Sequence, residues 1–187
     1  MKYLILKGVD VNARTGYYKA TPLHLAVDVN PELVKIFIKA GADVNARASD
    51  RMTPLHHASL YHGPAAVASV KVLLAANGID VNAERVDGCT ALHTAKNPEM
   101  IRLLLKAGAN PNAINMHGET PLVYVSKDAL GTEAEYTRIK ALLVGGANPV
   151  LRDQRGRTAS QYIRSKYTYT QSYDRRRFLK KILDLFE

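Results

Sequence analysis

Three histidines stand where they would suit acid–base catalysis or metal binding. His24, His56 and His93 are each the fourth residue of a threonine-led phrase, TPLH or TALH. Imidazole titrates near neutral pH and is the commonest metal ligand in proteins, so a regular series of histidines first suggests such a site. His56 is followed by His57, with His62 nearby, yet no carboxylate or cysteine completes a ligand set with them. We therefore expect no metal site.

Cys89 is the other residue with a candidate chemical role. It lies in the phrase DGCT just before a predicted helix start, where a helix dipole can lower the pKa of a thiol and favour a nucleophile. No base is identifiable beside it, and we interpret it as a surface or half-buried structural thiol. The sequence also lacks GxxxxGK(S/T), HExxH, GxSxG and a Rossmann glycine pattern after a strand. We expect neither an enzyme nor a cofactor.

The composition predicts a folded chain without a membrane segment. Of 187 residues, 47% are hydrophobic and 23% charged, which is too apolar for a disordered chain. No apolar run approaches the roughly 18 residues of a membrane helix, and the first residues, MKYLILKGVD, lack the features of a signal peptide. A single cysteine fits a reducing compartment. We expect an intracellular protein, cytoplasmic or nuclear, and a monomer.

Two nearly identical phrases predict helices of the same kind. NPELVKIFIKAG occupies residues 30–41, and NPEMIRLLLKAG occupies residues 97–108. In each phrase asparagine is a suitable N-cap, proline fits the first helical position, glutamate suits the positive end of the helix dipole, and glycine ends the helix. The apolar residues form one wide face that a single helix cannot bury. Each helix therefore needs neighbours of the same kind.

The neighbours belong to a repeat that runs along nearly the whole chain. Helix starts led by threonine occur at Thr21, Thr53, Thr90, Thr120 and Thr158. A glycine opens loop phrases such as GADVNA at Gly8, Gly41, Gly78, Gly108 and Gly146. With these marks the sequence resembles the ankyrin repeat family, whose unit of about 33 residues is a β-turn and two antiparallel helices with a T-P-L-H signature.

The resemblance implies an all-α ankyrin repeat solenoid, with stacked helix-turn-helix units and short β-hairpin loops, in a single domain over residues 1–187. We assign a partial N-terminal repeat at 1–10, repeats at 11–43, 44–80, 81–110 and 111–148, and a C-terminal capping repeat at 149–187. The resemblance also implies that His24, His56 and His93 form structural hydrogen bonds between neighbouring units. The leading threonines are expected to cap the first helix of each unit.

The spacing of these marks places the length changes within the helix pairs. From loop glycine to the next threonine the distances are 13, 12, 12, 12 and 12 residues, whereas from threonine to the following glycine they are 20, 25, 18 and 26. We expect the extra residues at the turn between the two helices, in LYHGPAAVAS and SKDALGTEAEYT. These turns are either partner contacts or tolerated surface loops.

Both ends depart from the regular unit. Residues 1–8 supply only a remnant of a second helix, with Leu4, Ile5 and Leu6, so the chain is either a fragment or begins with an abbreviated cap. At the other end, TASQYIRSKY and DRRRFLKKILDLF predict the last two helices, the second capped by Asp174. Residues 151–187 carry ten Lys or Arg and four Asp or Glu, a net charge of +6, so this cap is the basic end.

The resemblance implies that the chain is a protein-binding scaffold or adaptor, either a regulatory protein or an effector. Ankyrin relatives bind their partners with the loop tips and the exposed side of the first helices. Short ankyrin proteins that resemble this one occur as host regulators and as bacterial or viral effectors, so the resemblance is compatible with an effector secreted by a pathogen. Carried over by position from each threonine, the expected tip contacts are Tyr17, Tyr18, Asp50, Arg51, Met52, Val86, Asp87, Met116, His117, Arg155 and Arg157. The matching places on the first helices hold Asp28, Leu60, Tyr61, Lys127 and Asp128. Tyrosine, methionine and arginine are enriched in protein interfaces, which favours the N-terminal tips.

The sequence departs from the family pattern at four places. Lys19 and Arg51 stand where the turn glycine is usual, and Val123 and Gln161 replace the histidine. These departures concern the geometry of individual tips and leave the expected fold unchanged.

The alternative is nucleic-acid binding, or binding of an acidic or phosphorylated partner, through the basic cap. The residues that would carry it are Arg175, Arg176, Arg177, Lys180 and Lys181. The same charges also suit the solvated outer face of a terminal repeat. Tyrosines among them would either stack on bases or pack the last helix pair; these are Tyr162, Tyr167, Tyr169 and Tyr173.

Overall fold

The computed structural model describes residues 10–187, which form ten helices in five pairs. The pairs are α1 (Pro22–Ala26) with α2 (Pro31–Lys39), α3 (Pro54–Ser59) with α4 (Pro64–Leu74), α5 (Ala91–Thr94) with α6 (Pro98–Lys106), α7 (Pro121–Lys127) with α8 (Glu133–Val144), and α9 (Ala159–Tyr169) with α10 (Tyr173–Leu183). The helix remnant expected at Leu4, Ile5 and Leu6 lies outside the described residues.

The helices form two layers, as the repeat pattern predicts. The first helices α1, α3, α5, α7 and α9 pack against one another in series, and α2, α4, α6, α8 and α10 do the same beside them. The first four threonine-led phrases each contain a leucine that lies in the core, and Leu23, Leu55, Leu92 and Leu122 are at most 1% exposed. Burial of one such side chain contributes about 2 kcal/mol. None of the helices described in residues 10–187 is long and apolar enough to cross a membrane.

Five of the predicted helix caps are confirmed, those at Asn30, Thr53, Asn97, Thr120 and Thr158. The Asn30 side chain accepts the N–H of Glu32, and that of Asn97 accepts the N–H of Glu99, both at 2.8 Å. These bonds satisfy backbone donors that have no partner inside the helix. The hydroxyl of Thr53 likewise accepts the N–H of His56 at 3.4 Å. The start of each of these helices is therefore stabilised by a hydrogen bond within the same unit.

The three histidines are structural, as the resemblance implies. Each ring accepts the backbone N–H of its leading threonine through Nδ1, at 3.1 to 3.3 Å. Because Nδ1 accepts a hydrogen bond, the ring proton is on Nε2, and this N–H donates a hydrogen bond to a carbonyl oxygen of the next loop. The pairs are His24 with Met52 at 3.0 Å, His56 with Cys89 at 3.0 Å, and His93 with Glu119 at 3.1 Å.

Asparagines in the glycine-led loops form a second series of hydrogen bonds between neighbouring units. Asn45 donates from Nδ2 to the carbonyl of Gly78 at 2.7 Å and accepts the N–H of Asp80 through Oδ1 at 2.9 Å. One side chain thus satisfies a donor and an acceptor of the next loop. The same pair of bonds is made by Asn12, Asn82 and Asn112. At the next equivalent place stands Val150, which cannot form them.

The extra residues of the long units lie mainly in helices, so their expected placement at the turn was wrong. The turn between the helices has four residues in both the first pair (27–30) and the second pair (60–63), and it is only one residue longer in the fourth pair (128–132). The helices themselves grow from 5 and 9 residues in α1 and α2 to 6 and 11 in α3 and α4, and to 7 and 12 in α7 and α8. A residue added to a helix gains a backbone hydrogen bond to the preceding turn of that helix. A residue added to the turn between helices gains no such bond.

The last helix begins earlier than predicted. Ser172, not Asp174, is its N-cap and accepts the N–H of Arg175 at 3.4 Å. Asp174 lies in the first turn, where its charge still meets the positive end of the helix dipole. Leu179 and Ile182 are buried on the face that the apolar pattern predicts.

Candidate functional site

Five loops lie side by side, and a backbone hydrogen bond joins each tip to the next. Each loop is a hairpin whose base is closed by a backbone bond, such as that from Thr15 N to the carbonyl of Ala20 at 2.9 Å. No strand forms in residues 10–187, so the predicted β-hairpins are turns with one isolated bridge. The bonds between tips run from Ser49 N to Tyr18 O at 2.8 Å, from Val86 N to Asp50 O at 3.0 Å, from Met116 N to Asp87 O at 2.9 Å, and from Gln154 N to His117 O at 3.0 Å.

The expected tip contacts are thereby brought into one continuous line, with one exception. We call this line the tip row and define it as Tyr17, Tyr18, Asp50, Arg51, Val86, Asp87, Met116, His117, Arg155 and Arg157. Its apolar members are exposed: Tyr17 at 90%, Tyr18 at 70%, Val86 at 58% and Met116 at 64%. The two tyrosine rings meet edge to face with centroids 5.6 Å apart.

Met52 is the exception, because it lies in the core. Its side chain is 7% exposed, and its carbonyl oxygen receives hydrogen bonds from His24 and from the N–H of Ala48. These bonds turn this residue of the hairpin inward. The sequence-based assignment of Met52 to the exposed contacts was wrong, and we leave it out of the tip row.

Lys19 and Arg51 keep the turn geometry although neither is glycine. Their φ angles are +51° and +62°, in the left-handed region that Gly88 and Gly118 occupy at +78° and +70° in their own loops. A residue with a Cβ carries a cost of about 1 to 2 kcal/mol in this conformation. The two N-terminal tips therefore hold the common loop shape under local strain.

The expected positions on the first helices carry side chains that are exposed to different degrees. Tyr61 is 37% exposed, with its ring 5.9 Å from that of His57. Burial and the nearby charge of Asp28 raise the pKa of Tyr61. Leu60 is half-buried, and Asp128 is exposed.

Some charged residues of the site are already engaged within the chain. Lys127 lies 2.7 Å from the carboxylate of the buried Glu119. Although burial raises the pKa of Glu119, the hydrogen bonds from Lys127 and Asn115 bring it below its ordinary value. Asp87 receives both Nε and Nη2 of Arg85, at 2.7 and 2.6 Å. Asp87 and Lys127 therefore contribute less free charge to a partner than their types suggest.

Sequence reasoning missed a pocket of about 270 Å³ beside the tip row. It opens where α5 has only four residues between the longer α3 and α7. Its walls include Leu60, Thr94, Lys96, Tyr124, Asp128 and Arg138, and we call it the notch. The spacing of 18 residues in this unit, between units of 25 and 26, was the available signal.

The basic cap forms a second concave surface at the other end of the stack. A groove of about 360 Å³ is lined by Tyr167, Tyr173, Arg176, Arg177, Lys180 and Lys181. Tyr173 is 81% exposed, whereas Tyr162 is 7% exposed and packs the last helix pair. The five cations of the predicted basic patch are all exposed. Lys180 is paired with Asp184 at 3.2 Å.

Cys89 is fully buried rather than exposed or half-buried as predicted. Its side chain is 0% exposed, and Asn115 Nδ2 lies 3.5 Å from its Sγ. Burial raises the pKa of this thiol, which disfavours the nucleophilic thiolate. Within residues 10–187, no three His, Cys, Asp or Glu side chains are grouped closely enough to hold a metal ion.

Comparison with known families agrees with this architecture. The sequence profile described as Ankyrin repeats (3 copies) matches residues 1–85 and 66–153. The chain belongs to the ankyrin repeat family. Ankyrin repeats are generally protein–protein interaction modules, and the family is typically non-enzymatic.

Curated relatives share the ankyrin repeats over part of their own length. The human B-cell lymphoma 3 protein is 34% identical over 111 residues, which are 57% of this chain and 24% of that protein. The human transient receptor potential cation channel subfamily A member 1 is 40% identical over 109 residues, 56% of this chain and 10% of the channel. The chain thus spans a quarter or less of these two relatives.

Solved ankyrin structures match almost the whole chain. An ankyrin repeat domain from Acinetobacter baumannii superimposes with a TM-score of 0.77 at 28% identity, over 98% of this chain and 89% of that one. Another ankyrin repeat protein gives a TM-score of 0.81 at 22% identity, over 99% and 88% of the two chains. The second likeness concerns the fold alone.

Proposed function

We propose that this ankyrin chain is a non-enzymatic scaffold or adaptor that binds a partner protein through the tip row and the exposed side of the first helices. The observation that carries the proposal is the exposure of Tyr17 and Tyr18 in the first tip, Val86 in the third and Met116 in the fourth. Tyrosine and methionine are enriched at the buried centre of protein interfaces. A row of such side chains that the fold leaves in water suits a binding surface.

The preformed backbone of the row supports the same proposal. The four bonds from tip to tip hold the five neighbouring loops in register before any partner arrives. A surface that is already ordered loses less conformational entropy on binding, which favours affinity. The domain boundaries given above, 11–43, 44–80, 81–110, 111–148 and 149–187, are part of this proposal, since each full unit supplies one tip.

We expect the tyrosines to be the strongest contacts. In Tyr17→Ala, Tyr18→Ala and Tyr61→Ala variants the affinity for the partner should fall, because anchors of this type commonly cost about 2 kcal/mol when truncated. A partner captured from a lysate would be purified, and its Kd measured by titration calorimetry against each variant.

The control is Val144→Ala. Val144 is 82% exposed at the end of α8, outside the tip row. Its replacement should leave the Kd unchanged. Unchanged affinity in all three tyrosine variants, or an equal loss in Val144→Ala, would rule out the tip row as the binding surface.

The alternative function is binding of nucleic acid, or of an acidic or phosphorylated partner, through the basic groove. It is favoured by one observation, the exposed Tyr173 ring among Arg176, Arg177, Lys180 and Lys181. Proteins that bind single strands combine a basic groove with rings on which bases stack. Against it, Arg176 is already engaged, donating to the carbonyl of Thr170 at 3.0 Å and lying 5.7 Å from the Tyr167 ring centroid.

Salt dependence separates the two functions. We expect no sub-micromolar complex with DNA or RNA at physiological salt. We also expect the glutamine variant of Arg175, Arg176, Arg177, Lys180 and Lys181 to keep its affinity for the protein partner, because glutamine preserves helix propensity and the tip row is untouched. Fluorescence anisotropy against labelled single-stranded and duplex oligonucleotides is the measurement. Nucleic-acid binding would become the preferred function if a tight complex with an oligonucleotide formed and was lost in the glutamine variant. In that case the logarithm of the binding constant should fall by about 0.9 per phosphate contact for each tenfold increase in salt concentration.

A further inference from the structure

The notch differs from the tip row because the guanidinium inside it, that of Arg138, is half-buried and has no carboxylate partner among the described residues, whereas the arginines of the tip row are exposed. Arg138, on α8, donates from Nε to the carbonyl of Ala95 at 3.0 Å. Among the described residues it forms no ion pair within 4 Å and no further hydrogen bond. Arginine carries five N–H donors in a planar fork, so the two terminal nitrogens stay available.

The charges around Arg138 are mostly committed elsewhere. Glu135, one turn earlier on α8, accepts the backbone N–H groups of Leu130 and Thr132 at 2.9 Å. Arg85 is held by Asp87 through two hydrogen bonds. Burial lowers the pKa of Arg138, so the charged form lacks part of the solvation that it has in water.

A planar anion with a single charge suits this arrangement best. Guanidinium binds carboxylates through two parallel hydrogen bonds, which adds both energy and geometric selectivity. Lys96, exposed at the notch, adds a second positive charge, while Asp128 and Glu135 supply negative ones. A phosphate, with a charge of about −1.5 to −2, would meet more repulsion from these carboxylates than a carboxylate would.

The size of the notch fits one side chain. At about 270 Å³ it lies below the roughly 300 Å³ at which pockets for drug-sized ligands begin. Leu60 and Val125 supply apolar wall beside the charged groups, which suits the methylene carbons of an acidic side chain.

We propose that the notch binds a carboxylate group of the partner polypeptide, with the Arg138 guanidinium as its anchor. This inference rests on the proposed function, because the carboxylate belongs to a segment that lies along the same surface. The carboxylate comes either from a glutamate side chain or from the partner's C-terminus.

The test uses small probes in place of a partner. The full chain, labelled with ¹⁵N, is titrated with N-acetyl-glutamic acid α-amide and with its neutral isostere N-acetyl-glutamine amide. N-acetyl-alanine with a free carboxylate and N-acetyl-alanine amide form the second pair. We expect saturable NMR shifts at the Arg138 Nε–H and the Lys96 amide, with the acid bound about tenfold more tightly than its isostere. The pair that shows this preference identifies the source of the carboxylate.

Variants locate the binding in the notch. Arg138→Gln should abolish the shifts at Lys96, and Lys106→Gln, which removes an exposed charge on α6, should leave them unchanged. Arg138→Lys keeps the charge without the fork and should bind the acid several-fold more weakly, which covers the case in which Arg138→Gln does not fold. Equal shifts with acid and isostere, absence of saturation, or unchanged binding in Arg138→Lys would overturn the proposal.

The outcome is separable from that of the proposed function, because the probes need no partner. If no probe binds and partner affinity still depends on Tyr17 and Tyr18, only the notch assignment fails. If the probes bind through Arg138 and the tyrosine variants keep full partner affinity, only the tip row fails.

Discussion

Acidification from pH 7 to pH 5 should destabilise the chain by about 2 kcal/mol through His93 alone. Burial lowers the pKa of His93 to about 4, from an ordinary value of 6.5 that the unfolded chain keeps. As the pH falls below 6.5, the unfolded chain takes up the proton and the folded chain does not. The contribution of the neutral histidine is therefore present above pH 6.5 and is lost progressively down to about pH 4.

His24 and His56 act in the same direction, since burial lowers the pKa of both. The measurement is the free energy of unfolding from urea titrations at pH 7, 6 and 5. This range lies above the ordinary pKa of 4.5 of Glu119 and of 3.8 of Asp87 and Asp153, whose folded values are lower still. The histidines therefore dominate the pH dependence in this window.

His93→Gln supplies a matched comparison that the chain itself suggests. Gln161 stands at the equivalent place in the last unit and still accepts the N–H of Thr158 through its side chain at 2.9 Å. We expect His93→Gln to be less stable at pH 7 and to lose about 2 kcal/mol less between pH 7 and 5. If the slope in His93→Gln equals that of the unaltered chain, His93 does not carry the effect.

Gly131→Ala should detach the C-terminal helix pair from the stack. Gly131 lies in the turn between α7 and α8 with φ of +77°, and a Cβ there would lie 2.6 Å from the carbonyl oxygen of Arg175 and 2.9 Å from Cγ of Leu179. The left-handed conformation costs about 1 to 2 kcal/mol with a Cβ, and overpacking against backbone adds about 1 to 3 kcal/mol. We expect a total loss of about 3 kcal/mol.

Gly156→Ala separates the two contributions. Gly156 has φ of +72°, and a Cβ there meets nothing within 4 Å. It should show the conformational cost alone, about 1 to 2 kcal/mol. Urea unfolding compares the totals, and hydrogen exchange shows where the stability is lost, because units of a repeat protein contact only their neighbours. Faster exchange in α9 and α10 of Gly131→Ala is expected. Equal behaviour of the two variants would mean that α10 adapts to the added methyl group.

The sequence by itself determined the features that depend on neighbouring residues. Asn30 and Asn97 cap their helices as predicted, because a capping side chain needs only the backbone N–H groups of the next turn. The hydrogen bonds of His24, His56 and His93 to the adjacent unit are long-range contacts, yet the sequence also predicts them. Their phrase recurs at a regular spacing, and the resemblance to a family supplied the role.

The tip row was predicted less completely, because exposure depends on how a loop is turned. The distance to the following threonine predicts a tip position for both Tyr18 and Met52. Tyr18 is 70% exposed and Met52 is 7% exposed. What turns Met52 inward is its contact with His24, which lies 28 residues earlier in the chain.

Only the tertiary structure decided where the long units carry their extra residues and what lies in the notch. The spacing showed that the third unit is short, but not that its first helix ends after four residues beside longer ones. Arg138 reaches the notch from the second helix of the following unit and meets the carbonyl of Ala95, 43 residues away. No local pattern encodes such a contact, because it exists only once consecutive units are stacked and the short helix leaves space between its neighbours.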